Sequence, residues 1–492
     1  MKPLTDLDQT INQALQDWHI PGAAVAVVKG DKILHMKGHG FRDLEQGLPV
    51  TEHTRFPIAS MTKSFTAMGA AILVDEGLLN WDQPIRDFLP DFRLYDDYAT
   101  SHATLRDLLS HRTGLPRHDA TWHGTGKTRQ ALFDGLRHLK PNFDFRTLWQ
   151  YNNLMYEVVG LLCTHVSGAH SWENFIQSRV LDPLGLASTT ASAEPAGSTR
   201  FEDIALPYRL KNGENTPERV PVYNNPLGPA GSIHSTLTDL VTWIKVHTHG
   251  GLSDGVQLVS PKNLHAMHTP HMLIPAAEHQ KALFNNEIFS YGMGWFIEPY
   301  QGMTLCHHGG NIGGFSLMAG FVPQEDLAVV ILTNIKGKPM AKALMYEAVD
   351  CALGIENHKT KNWSAEYLKL TEQADKKQLE TIAESDLARI PDAPASHPFE
   401  NYAGIYAAPG YADFHIKWED NGLWGFYAGE WFSLLHYHYD IFELDRLEAR
   451  GDKTKLSFAL NNEGFITDLY FPVEPEVGDT QFTRSSEGQV EQ

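Results

Sequence analysis

Phe56-Pro57-Ile58-Ala59-Ser60-Met61-Thr62-Lys63 is the stretch on which the reading of this 492-residue sequence turns. Pro57 and the small residues before Ser60 suit a turn that leads into a helix. From Ser60 to Glu76 (SMTKSFTAMGAAILVDE) Ala, Met, Leu and Ile recur at helical spacing, and Gly77 supplies a stop. The segment is apolar nearly all round, which predicts a helix buried in the middle of a domain. Residues i and i+3 share a helix face, so the Lys63 amine reaches the Ser60 hydroxyl. A serine hydroxyl is a weak nucleophile until an adjacent base activates it. A lysine serves as that base when burial and cationic neighbours lower its pKa, and the helix N-terminus adds a positive end. Taken alone, S-x-x-K is a weak signal that a capping serine beside a snorkelling lysine accounts for more readily. Its company decides.

Two further constellations lie downstream. Tyr151-Asn152-Asn153 sits just before an apolar helical run. Two polar side chains two residues apart in a loop can face one cleft. Tyr151 then shuttles a proton between Ser60 and a leaving group, and Asn153 holds a substrate carbonyl or the lysine. The third is His307-His308-Gly309-Gly310-Asn311, after a predicted strand and before Gly313-Gly314-Phe315. Gly309 and Gly310 on an edge strand let a substrate backbone approach closely. A backbone N–H there can aim at a developing oxyanion. His308 offers a proton donor or electrostatic partner near neutral pH.

In this order the three motifs resemble the serine β-lactamase and penicillin-binding protein family, whose pattern is S-x-x-K, Y-x-N, then K-T-G or H-x-G. Ser60/Lys63, Tyr151/Asn153 and His308/Gly310 match it, and the likeness is greatest to the class C-like branch of esterases and D-amino-acid peptidases. Leu109–Pro116, Pro229–Thr236 and Tyr291–Trp295 are similar to other landmarks of the family. The resemblance spans about residues 5–350 and implies the transpeptidase-like α/β fold, an acyl-serine intermediate, and an oxyanion hole made by the N–H groups of Ser60 and Asn311. His308 stands where most members have lysine, so a permanent charge that meets a β-lactam or peptide carboxylate is lost. Esters, amides and D-amino-acid-containing peptides become the expected substrates.

Elsewhere, residues 23–28 and Lys32–His39 read as a hairpin about Gly30-Asp31. Helices are expected at Thr104–Ser110, Leu154–Val166 and Thr236–His247. Met303–Cys306 and Leu327–Asn334 read as strands joined through the glycine-rich His307–Phe315. Strands at both ends with helices between predict an antiparallel sheet with a helical region. Residues 356–387 read as one or two solvent-facing helices leading to the linker Pro391–Pro394. Beyond Pro398, seven short aromatic runs between Asn401 and Phe471 predict a small all-β barrel. Tyr402–Tyr406 followed by Pro409-Gly410-Tyr411 resembles the lipocalin-like domains appended to some of these hydrolases. Trp418, Trp424, Trp431 and Tyr437 are expected in the barrel core. The expected domains are therefore 1–355 (hydrolase), 356–397 (helical linker) and 398–492 (lipocalin-like barrel).

A net charge of −20 leaves no cationic excess for phosphates, which argues against nucleic acid as a partner. The three scattered cysteines make no disulfide framework. With no signal-like head and no span of ~18 apolar residues, a cytoplasmic enzyme without membrane association is expected. Its partners are small-molecule or short-peptide substrates, with a homo-oligomer open. No metal or organic cofactor is expected: His35/His39, His265/His268/His271 and His436/His438 lack H-E-x-x-H spacing and an obvious carboxylate. Gly124-Thr125-Gly126-Lys127-Thr128 lacks the first glycine and preceding strand of a phosphate loop. The rival reading is a catalytically weak ligand-binding or regulatory module on the same fold.

Overall fold

The computed structural model describes residues 5–192, 203–211, 216–221, 227–284, 286–355, 361–445 and 454–485. The chain divides into two compact units, Met1–Pro90 with His102–Arg112 and Asn153–Leu370, and Asp91–Ser101 with Thr113–Asn152 and Thr371–Gln492.

The first unit is built on one antiparallel sheet. Its strands are β1 (Gly22–Lys29), β2 (Lys32–Asp43), β3 (Leu48–Pro49), β4 (Met272–Pro275), β5 (Ile288–Tyr291), β6 (Phe296–Tyr300), β7 (Met303–Ile312), β8 (Phe315–Val322) and β9 (Leu327–Thr333). They lie in the order β4-β5-β6-β7-β8-β9-β1-β2-β3. The N-terminal hairpin thus completes a sheet begun by the C-terminal strands, through seven β1–β9 pairs from Ala23↔Thr333 to Lys29↔Leu327. The β-branched runs of β1 and β9 are buried along almost their whole length because helices cover both faces.

One covering layer is α1 (Thr5–Asp17) and a later helix, Met340–Leu353. Leu7, Ile11, Ala14 and Leu15 of α1 share a core with Val25, Val27, Leu344 and Tyr346. The other layer contains α2 (Thr62–Asp75), α3 (Asn153–Ser167) and α4 (Leu237–Thr248), while Met340–Leu353 becomes α5 and Trp363–Leu387 α6. Thr104 and Thr236 cap their helices through side-chain bonds to Asp107 and Asp239 amides, which is why both helices begin at the expected places.

Two expectations need correction. The glycine-rich segment from His307 is not a connector: it continues β7 to Ile312, and a further strand, β8, lies between it and β9. Glycine reads as turn punctuation, yet at Gly310 it answers to close packing. The helix after 361 is also not merely solvent-facing. Trp363 and Tyr367 at its start are buried in the first unit's core, and residues 356–360 lie outside the described residues.

The second unit contains an up-and-down barrel of β10 (Gly404–Ala407), β11 (Phe414–Glu419), β12 (Gly422–Tyr427), β13 (Glu430–His438), β14 (Ile441–Asp445), β15 (Lys455–Leu460), β16 (Ile466–Phe471) and β17 (Thr480–Arg484). It closes through Tyr406↔Arg484 and Ala407↔Thr483. The eighth strand, TQFTR, escapes sequence reading because Phe482 is its single apolar residue. Strand alternation puts Phe414, Tyr427, Phe432, Phe458 and Phe482 inside. Tyr437 is buried as expected, whereas Trp431 is 44% exposed, with the Lys417 ammonium 4.3 Å from its ring, and Trp418 and Trp424 are half-buried. The alternation turns Trp424 and Trp431 outward, whereas Trp418 shares the inward phase of Phe414 and Ile416 but is only half-buried near the end of its strand.

The segment 113–152 belongs to this second unit. The His118 amide donates to Glu474 Oε2 at 2.5 Å, and Lys127 Nζ donates to the carbonyls of Gly410 and Tyr411. At Gly124, with φ of 69°, a Cβ would stand 1.9 Å from Ala428 O, so only glycine fits. The phosphate-loop-like run is a docking loop.

Candidate active site

Ser60 lies in a 3₁₀ turn, Ala59–Met61, that runs directly into α2. The turn is held from two sides. The Ile58 amide donates to Ile233 O at 2.8 Å, and Phe56 and Pro57 pair with Ser235 and His234. On the other side β7 presses against it: a Cβ on Gly310 would lie 2.3 Å from Ile58 O and 3.1 Å from Ala59 Cβ. Ala59 adopts φ of 48°, a left-handed conformation that costs on the order of 1–3 kcal/mol and that the surrounding packing must sustain. Ser60 is partly exposed while its neighbours Ala59 and Met61 stay buried.

Lys63 is completely buried. Its Nζ lies 3.1 Å from Ser60 Oγ and donates to Asn153 Oδ1 at 2.8 Å and to Ala230 O at 2.9 Å. The helical i, i+3 spacing brings the first contact; the other two come from α3 and from the short helix Gly228–Gly231. The Tyr156 ring centroid is 5.4 Å from Lys63 Nζ. Tyr156 is one turn beyond Asn153 on the same helix face, and its hydroxyl donates to Leu109 O at 2.7 Å. Neither the Ala230 carbonyl nor Tyr156 was given a role from sequence. The i, i+3 relation to Asn153 was the available signal for Tyr156.

His308 is buried on β7. Its Nδ1 lies 2.7 Å from Gly309 O, and the Tyr291 hydroxyl lies 3.0 Å from its Nε2. A carbonyl accepts only, so Nδ1 carries the proton and Nε2 accepts from Tyr291. Burial, and then the Lys63 charge, push its pKa down to about 3. The imidazole is therefore neutral at pH 7 rather than poised near neutrality, because desolvation outweighs everything that favours the cation. His111 and Phe296 complete an aromatic wall, with ring centroids 4.9 Å from Tyr291 and 5.4 Å from His308 respectively.

β7 outruns β6. Their pairing ends at Phe296↔His307, whereas β7 and β8 pair as far as Ile312↔Phe315. Residues 308–312 thus have a strand partner on the β8 side, and Asn311 is exposed there. The structure gathers Ser60, Lys63, Asn153 and Gly310 into one set of contacts, with His308 and Gly309 on the same strand as Gly310. Tyr151 and Asn152 fall in the second unit. There the Arg117 guanidinium lies 5.1 Å from the Tyr151 ring, and Asn152 Nδ2 donates to Pro116 O at 2.6 Å.

A family model described as beta-lactamase matches residues 7–353, and one described as a domain of unknown function matches residues 388–485. An unguisins hydrolase of Aspergillus campestris is 29% identical over 98% of this chain and 92% of its own length. Protein flp of Staphylococcus aureus is 26% identical over 68% of this chain and 64% of its own. Among solved structures, the octameric penicillin-binding protein homologue from Pyrococcus abyssi superposes with a TM-score of 0.62 at 22% identity, covering 98% of this chain and all of that one. A class C beta-lactamase gives 0.60 at 20% identity over 71% of this chain and 96% of its own. Among the described residues no helix is long and apolar enough to cross a membrane.

Proposed function

This chain belongs to the β-lactamase family and is a serine hydrolase, and on that footing we propose that it works through an acyl-serine intermediate with Ser60 as nucleophile and Lys63 as base. The observation that carries the reading is the buried Lys63 amine 3.1 Å from Ser60 Oγ, with Asn153 Oδ1 and Ala230 O among its other partners. An uncharged amine has two N–H donors and one lone pair. Asn153 Oδ1 and Ala230 O take the donors, and the lone pair then faces the hydroxyl.

In the first half-reaction Ser60 Oγ attacks the carbonyl carbon and its proton passes to Lys63. The oxyanion develops against the N–H groups of Ser60 and Asn311, with Gly309 and Gly310 leaving room for the substrate. Tyr151 relays the proton from Lys63 to the departing alcohol or amine as the C–O or C–N bond breaks. In the second half, water attacks the acyl-enzyme and gives its proton to the Tyr151/Lys63 pair. The acid leaves, and Ser60 recovers its proton. His308 acts as a neutral group that orients Tyr291 and this strand.

Esters, amides and D-amino-acid-containing peptides, as small molecules or short peptides, are the proposed substrates. The neutral state of His308 supports this choice, since a substrate carboxylate finds no permanent cation at that strand position. The hydrolase named among the relatives supports acyl hydrolysis in general. The test is a screen of short nitrophenyl esters, D- and L-aminoacyl amides and nitrocefin with Ser60→Ala alongside. Turnover that disappears in the variant upholds the proposal. Turnover that survives it overturns the assignment of the nucleophile.

A further inference from the structure

We propose that Asp8, His35 and His39 form a binding site for a divalent transition-metal ion of the zinc type, fastening α1 to β2. His35 and His39 are four residues apart on β2 and so share one face of the strand. The sequence offered no third ligand nearby. Folding brings one: α1 lays Asp8 against that face.

The donor atoms converge. His39 Nε2 lies 3.5 Å from His35 Nε2 and 3.6 Å from Asp8 Oδ1. One ligand atom from each residue falls within 4.8 Å of the others. A tetrahedral ion with bonds of ~2.0–2.1 Å holds its donors about 3.3 Å apart, so small rotations suffice. The two rings are nearly parallel, with 15° between their planes.

The surroundings suit ligation as well. His39 Nδ1 lies 3.1 Å from Asn12 Oδ1, which fixes the proton there and leaves the Nε2 lone pair facing the other two groups. Asp8 Oδ2 accepts from Lys37 Nζ at 2.9 Å, whereas Oδ1 is a buried oxygen with no hydrogen-bond partner among the described residues. Two imidazoles and one carboxylate favour zinc, nickel or copper over magnesium or calcium, and three protein ligands leave a fourth position for water. Four strand positions separate β2 from β7, about 19 Å at ~4.8 Å each, so this site is distinct from the one around Ser60.

The experiment uses the full chain stripped with EDTA, then titrated with Zn²⁺ against a chromophoric chelator and, separately, with Co²⁺. One tight equivalent of Zn²⁺ is expected, together with intense visible Co²⁺ bands of tetrahedral character at one equivalent. Asp8→Asn and His39→Gln each weaken Zn²⁺ binding by about 10-fold or more, while ester hydrolysis by the same variants stays at the wild-type rate and shows that they fold. Zn²⁺ affinity equal to wild type in both variants overturns the proposal, as does a Co²⁺ spectrum of purely octahedral type in the wild-type chain. Failure to bind either ion reduces the cluster to a His35–His39 hydrogen bond and overturns it too.

Discussion

Gly310→Ala tests the close approach of β7 to the nucleophile turn. The added Cβ would sit 2.3 Å from Ile58 O, so roughly 1 Å of separation must open before an ordinary contact is restored. The obstacle is backbone on both sides, which cannot swing away as a side chain does. Overpacking of this kind costs about 1–3 kcal/mol. The same displacement carries Asn311 away from Ser60, and a misplacement of ~1 Å at reacting groups costs on the order of 10²-fold in rate. Steady-state hydrolysis of a nitrophenyl ester, with a thermal melt of the same sample, reads both effects. The expected result is kcat down about 100-fold with KM little changed, and a lowered Tm. Gly309→Ala is the contrast: its Cβ would meet Met318 Cε at 3.1 Å, the far end of a flexible side chain, so a loss below about tenfold is expected. A kcat for Gly310→Ala within about a factor of three of wild type refutes the reasoning, because the strand would then be free to yield without consequence.

Lys63→Met keeps most of the volume and removes the amine, leaving Asn153 Oδ1 and Ala230 O without their donor; kcat is expected to fall about 10²–10⁴-fold, measured on the ester that the wild type turns over best. Acid lowers stability through the buried histidines: His268 and His308 are held down at about 3, against ~6.5 when unfolded. A depressed histidine leaves the unfolded chain binding more protons, so the stability present above about pH 6.5 is lost as pH falls toward 3, by up to ~1.4 kcal/mol per pH unit for each histidine. Urea denaturation at several pH values checks the slope, and a flat profile from 6.5 to 4 contradicts it. Glu474→Ala removes the acceptor of the His118 amide from a buried position and should destabilise the second unit by about 1–3 kcal/mol. Faster protease cleavage within 117–140 is the expected readout.

What could be read from sequence was mostly local. Ser60 and Lys63 are three residues apart, so helical geometry alone joins them. Thr104 and Thr236 announce their helices because a capping hydroxyl and an acidic residue three positions on form a short-range pattern. The β1–β2 hairpin is equally local. The omissions are contacts between distant segments or departures from the usual meaning of a residue type. Ala230 O reaches Lys63 across 167 positions, and a backbone carbonyl leaves no mark on sequence. Asp8 meets His39 only after α1 packs on the sheet. The glycine-rich run from His307 read as a connector because glycine usually marks one, whereas the strand continues through it and needs a glycine at 310 to approach Ile58. The burial that makes His308 neutral is likewise a property of the assembled sheet, invisible in the H-x-G pattern.

The most direct measurement is covalent labelling with a fluorophosphonate, followed by intact mass and peptide mapping. The account predicts one adduct per chain, on the peptide containing Ser60. Ser60→Ala should take up none, and Lys63→Met should react slowly. An adduct on a different serine, or none on a chain that still hydrolyses esters, contradicts it.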